Sequence, residues 1–155
     1  MSKSDAYGVS GSAYKWFESY LFSRTQKCFV NGSLLGSKSP SFGIPQGTIL
    51  GPLLFILYIN DLPNCLEFSV PQMYAGDTHL TFAGRDPDLI ERNLNHDLSN
   101  ISDWLVANKL TLNKSKTEFM VIVSRQRLRI LDRSPALAID NSPISQVVST
   151  KSLGY

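Results

Sequence analysis

An α+β fold is predicted, a mostly antiparallel sheet with helices packed on one face. Three observations carry that expectation. Asp86-Pro87 opens a long stripe of Ile90, Leu94, Leu98, Ile101 and Leu105 at helical spacing. Asn31-Gly32 and Ala75-Gly76-Asp77 each sit between short β-prone runs, as hairpin turns do. The resulting order is helix, hairpin, helix, hairpin, helix, strands, with no internal repeat to suggest a solenoid.

In chain order, Tyr14, Phe17, Tyr20 and Leu21 recur at helical spacing after Gly11-Ser12, predicting an amphipathic helix over residues 12–24. Residues 27–31 read as a strand, with Leu34-Leu35 beginning its return and a loop over 37–41. Gly43, Pro45 and Gly47 punctuate a loop that opens into an apolar helix over about 49–62. That run is far shorter than the roughly 20 residues a membrane span needs, so a buried helix is expected and no membrane partner. Strands are predicted over 70–74 and 78–82, with 75–77 as their turn. Asp86 as N-cap and Pro87 at the first helical position start the longest helix, which ends near Asn108. Further strands are expected over 118–124, 136–140 and 146–150.

The chain has 155 residues, 43% of them hydrophobic, enough for one sizeable core and too few for two. Its net charge of +2 does not announce a nucleic-acid binder by charge alone. Cys28 and Cys65 form no Cys-x-x-Cys pair, so buried free thiols in a reducing compartment are expected. Residues 1–11 are polar and hold no signal-peptide core, which predicts an intracellular protein, nuclear or cytoplasmic and not secreted. His79 and His96 lack a ligand-like spacing, and Trp16 and Trp104 sit on helical stripes as core residues do.

Three constellations could carry chemistry. In Gly43-Ile44-Pro45-Gln46-Gly47, two close glycines let backbone approach a ligand, Pro45 stiffens the loop, and Gln46 can both donate and accept at a base or sugar edge. Taken alone, the same residues read as a Gly/Pro loop capping an apolar helix. Tyr74-Ala75-Gly76-Asp77 places a lone carboxylate in a hairpin turn. Leu112-Asn113-Lys114-Ser115-Lys116 offers two loop lysines. Arg125, Arg127, Arg129 and Arg133 form the densest basic region, read as a solvated face that could also contact phosphates non-specifically.

Taken together, these segments resemble reverse transcriptases of non-LTR retrotransposons. GIPQGTILGPLLFILYINDLP carries the most specific match, to the template- and nucleotide-handling segment. KWFESYLFSRTQKCFVNG, MYAGDTHLTFAG, WLVANKLTLNKSKTEFMVI and KSLGY follow the family's order, so the resemblance runs from about Tyr7 to Tyr155. It implies a palm-type sheet and, for the family, RNA-templated DNA synthesis from dNTPs on a DNA primer with Mg2+. Pro45, Gln46 and Gly47 then match nucleotide-handling positions. Gly76 stands where the family's first turn aspartate ligates metal, and Asp77 is the remaining carboxylate. Lys116, with Lys114 as the neighbouring alternative, matches a lysine that protonates the pyrophosphate leaving group, a general-acid task.

Two-metal transfer needs carboxylates that hold ions about 3.5–4 Å apart. The family's third aspartate lies on a strand ahead of the segment resembled here, and Asp5 lacks the surrounding strand pattern to replace it. The expectation is a partial domain over residues 1–155, with fingers, first catalytic strand and thumb missing, and catalytically inactive. A retained RNA- or protein-binding module and a decayed reading frame without selected function stand as alternatives. An incomplete sheet also exposes an unpaired edge, through which self-association is possible.

Overall fold

The structure is a computed structural model that describes residues 7–40, 43–44, 47–128 and 133–150. Pro45, Gln46, Arg129, Asp5 and the 151–155 segment lie outside the described residues, as do the side chains of Arg127 and Leu128. The α+β class holds, with helices mixed among small sheets. The chain divides into two compact units between Tyr58 and Ile59.

In the first unit, α1 covers Gly11–Leu21, three residues shorter at its C-terminal end than predicted. None of its residues is buried. Trp16 is 52% exposed, stacked on Tyr20 with centroids 5.6 Å apart, which corrects the expectation that it is a core residue. Beyond it, β1 (Phe29–Val30) pairs antiparallel with β2 (Ser33–Leu34). Asn31 and Gly32 join them with φ of +48° and +78°, the pair of positive values that a two-residue hairpin turn requires. Cys28 is exposed, contrary to the buried thiol expected.

The helix α2, Leu50–Ile59, forms where the apolar run predicts one. Only Ile59 is buried, whereas Leu53 and Ile56 are about half exposed. Apolar composition therefore predicted the helix correctly and its burial wrongly, because burial needs facing elements that composition does not specify.

The second unit begins with a 3-10 turn at Leu62–Cys65, followed by the antiparallel pair β3 (Val70–Tyr74) and β4 (Asp77–Thr81). α3, Pro87–Ala107, is the organiser of this unit. Its start is as predicted, with Asp86 Oδ1 accepting from the Asp88 N–H at 3.0 Å. Asp97, Leu98 and Ile101 are its buried residues. Leu98 forms the core with Leu137 and Ile139, and Leu80, Leu94, Leu112, Phe119 and Ile144 pack around them.

The C-terminal strands are shorter than predicted. β5 is only Glu118–Phe119, α4 is a single turn at Arg125–Leu128, and β6 (Ala138–Ile139), β7 (Ser142–Pro143) and β8 (Ser145–Gln146) have two residues each. β6 and β7 pair antiparallel around Asp140-Asn141, and β8 pairs parallel with β5. One continuous antiparallel sheet is therefore replaced, among the described residues, by separate two-stranded pairs.

What replaces the missing ladder partner of β6 is the polar face of α3. Asn95 Nδ2 donates to the Ala136 carbonyl at 2.9 Å, and its Oδ1 accepts from the Ala138 N–H at 3.0 Å, as a neighbouring strand would. Glu91 accepts from the Ala136 N–H, and the Ser102 hydroxyl donates to Asp140. Buried Leu137 and Ile139 thereby face the core while Ala136 and Ala138 stay outside.

Candidate active-site turn

The turn between β3 and β4 is tighter than the sequence suggests. Tyr74 pairs directly with Asp77, leaving Ala75 and Gly76 as a two-residue loop, so Asp77 opens β4 instead of belonging to the turn. Ala75 takes the left-handed φ, +49°, a conformation that glycine adopts more cheaply. Gly76 does not use its freedom: its φ is not in the left-handed range, and a Cβ there would meet nothing within 4 Å. The backbone thus has room for an aspartate at position 76. The absence of a carboxylate at this point is a matter of chemistry and not of fold.

Asp77 is exposed. Among the described residues no group of three or more His, Cys, Asp or Glu side chains is gathered as a metal site would gather them. The described residues therefore do not fit a two-metal centre, which needs several hard oxygen ligands around closely spaced ions. His96 lies 3.3 Å from a Glu67 carboxylate oxygen and edge-on to Phe68, an exposed surface pair with no metal-like grouping.

The two lysines are sorted by their neighbours. Lys114 is held 3.1 Å from Asp140 Oδ2, and together with the Ser102 hydroxyl it keeps that carboxyl below its ordinary range, the hydroxyl contributing most. Lys116, in the same 3-10 turn (Lys114–Lys116), is exposed and has no side-chain partner among the described residues. Of the two lysines, Lys114 is held by a carboxylate and Lys116 is not.

The predicted basic region is divided. Arg125 begins α4 and is exposed, so it lies on a helical turn and not on a strand. Arg133 is committed to Asp88, 2.6 Å away, and to Glu91. The Ala136 N–H first, and then Arg133, hold the Glu91 carboxyl below its usual value, while Glu91 and Asp88 raise the guanidinium.

In the first unit, Gly43 and Gly47 take φ of +86° and +77°, and a Cβ on either would meet nothing. Their requirement is for left-handed backbone and not for space. Arg24, which carried no sequence signal, ties this loop down: Nη2 donates to the Gly43 carbonyl at 2.6 Å and Nε to the Leu21 carbonyl at 2.8 Å.

The residue that sequence reading missed altogether is Asp97. It is fully buried and accepts from the N–H groups of Glu67, Phe68 and Ser69 at 2.9, 3.2 and 2.7 Å, and from the Ser69 hydroxyl. Burial pushes its carboxyl up, but the Ser69 hydroxyl and the three N–H groups outweigh it and leave the group below its ordinary range. A signal was present. Asp97 falls on the same face as Ile90, Leu94 and Ile101, seven, three and four residues away, where a charge needs a partner.

The described residues thus present a hairpin turn with one exposed carboxylate, an exposed lysine at Lys116 and a long amphipathic helix, α3. Comparison with known proteins defines the class: the family model "Reverse transcriptase (RNA-dependent DNA polymerase)" matches residues 1–155, and the chain belongs to that family. More particularly, it is 25% identical over 141 residues to a "Probable RNA-directed DNA polymerase from transposon X-element" of Drosophila melanogaster, covering 88% of this chain and 15% of that protein. It is 30% identical over 111 residues to the corresponding protein "from transposon BS" of the same organism, covering 67% of this chain and 12% of that protein. The chain thus spans under a sixth of the length of either relative. No solved structure matches it.

Proposed function

We propose that this chain is a palm-region portion of a non-LTR retrotransposon reverse transcriptase, and that by itself it does not polymerise. The parent activity is addition of dNTPs to a DNA primer along an RNA template. One observation carries the inactivity: Gly76 occupies a turn position with open space for a carboxylate, and Asp77 stands there without the grouping that metals need. Magnesium would take such carboxylates as ligands and supply charge stabilisation to the transferring phosphate. What remains in this chain is a template- and nucleotide-handling loop at Gly43 to Gly47, including Pro45 and Gln46, and Lys116 as a proton donor.

Primer extension on an RNA template tests this, with Mg2+ or Mn2+ supplied in turn. No incorporation is expected from the purified chain, and nucleotide addition above a no-protein control would overturn the proposal. Gly76→Asp is expected to fold as the parent does, with a thermal midpoint within a few degrees. It should still incorporate nothing, because two adjacent carboxylates do not make a two-metal site. Incorporation by that variant would show that other residues of the chain supply the further metal ligands.

A second reading, retention of RNA without chemistry, is favoured by the exposure of Arg125. It predicts salt-sensitive RNA binding that weakens when Arg125 and Arg127 are changed to alanine and is unaffected by Arg133→Ala, whose guanidinium already holds two carboxylates. No RNA retention at low salt would remove this reading.

A further inference from the structure

The pair that carries Gly76 and Asp77 has no third strand among the described residues. A two-stranded hairpin is marginal in water, so its placement depends on what anchors it. Three anchors are visible, and all involve α3. On leaving the hairpin, Gly84 lies so close to the helix that a Cβ would stand 2.9 Å from Ile90 Cγ1. Midway, Leu80 packs on the cluster around Leu98. On entry, Asp97 gathers the N–H groups of residues 67–69 and the Ser69 hydroxyl.

The entry anchor differs in kind from the other two. Apolar contacts hold a surface but tolerate sliding, whereas four hydrogen bonds to one carboxylate fix both position and direction. Three successive N–H groups converging on an anion make a concavity that only an acceptor-only side chain satisfies, because an amide would turn its own NH2 toward a donor. Ser69 immediately precedes β3.

We infer that Asp97 is a positioning residue for the 75–77 turn: by fixing the backbone at 67–69 it sets the direction in which β3 delivers Gly76 and Asp77. The lever is long. Five extended residues span about 17 Å, so a change of about 10° at the entry moves the turn by about 3 Å. Misplacement of about 1 Å already costs an active site heavily. The functional meaning of this role rests on the proposed reading of the turn; the geometric claim does not.

The test is the orientation of the hairpin relative to α3, read by NMR residual dipolar couplings on the full chain, with amide hydrogen exchange in parallel. In Asp97→Asn, couplings for residues 70–81 are expected still to fit one hairpin, rotated by roughly 10° or more relative to α3. Amides 67–81 should exchange at least tenfold faster while those of residues 99–107 keep their protection. Ser69→Ala removes one bond of the four and is expected to give a smaller rotation in the same sense. One common orientation for hairpin and helix in Asp97→Asn would overturn the inference. So would an unfolded Asp97→Asn together with a Ser69→Ala that leaves the hairpin unmoved. No metal, primer or RNA enters these measurements, so their failure is separate from any failure in the primer-extension assay.

Discussion

Replacing Asp97 with alanine is expected to lower the stability of the unit that begins at Ile59 by about 3–5 kcal/mol, read as a fall in the urea midpoint. Three backbone N–H groups and a buried hydroxyl lose their acceptor at once, and each buried donor left unmade costs about 1–3 kcal/mol before relaxation and water recover part of it. The same carboxylate gives the unit an acid-sensitive profile. Asp97, Glu91 and Asp140 all have folded values below their ordinary ranges. A depressed carboxyl adds stability above its unfolded value, about 3.9 for Asp and 4.3 for Glu, and loses it as pH falls toward the folded value. Stability should therefore be flat near neutrality and decline below about pH 4. In Asp97→Ala the decline should be shallower, because the largest buried contributor is gone. An alanine variant as stable as the parent at pH 7, with an unchanged acid limb, would contradict this account.

Leu98→Ala is expected to cost about 2–5 kcal/mol, a large share of the stability of a small unit whose core is this thin, and to loosen its packing. Leu98 sits with Leu137 and Ile139 at the centre of the cluster on which Leu80, Leu94, Leu112, Phe119 and Ile144 pack. Removing its branched end leaves a cavity touching the hairpin, the helix and the C-terminal strands together. Loss of near-ultraviolet circular dichroism at 25 °C, with substantial helix signal retained, is the expected result. Leu137→Ala should not add to it independently, since both side chains line one cluster. A loss below about 1 kcal/mol for Leu98→Ala would mean that these residues do not form a common core.

Much of the local structure was legible because its signals are local. Asn31-Gly32 supplies the two left-handed residues of its turn, Asp86-Pro87 caps and starts α3, and the stripe of Leu94, Leu98 and Ile101 chose the buried face. The hairpin over 70–81 was placed within one residue. Its turn was misjudged because Ala75, and not Gly76, takes the left-handed conformation. The strand predicted over 118–124 failed for a different reason: β-propensity reports fit to a partly buried surface, and only Glu118 and Phe119 find a neighbouring strand.

By itself, the sequence determined the α+β class, the order of elements as far as the end of α3, family membership and the glycine at position 76. Those follow from residue type, spacing and short-range turn chemistry, all of which survive without knowledge of any partner. Only the tertiary structure decided that Gly76 has room for a carboxylate, that Lys114 and not Lys116 is held by a carboxylate, that Arg133 is committed to α3, and that Asp97 gathers the backbone at 67–69. Each depends on groups 26 to 45 residues apart meeting in space, as with Lys114 and Asp140 or Arg133 and Asp88, or on a backbone angle that no residue name specifies. A carboxylate on a helix face is only a charge until the fold brings three N–H groups to it.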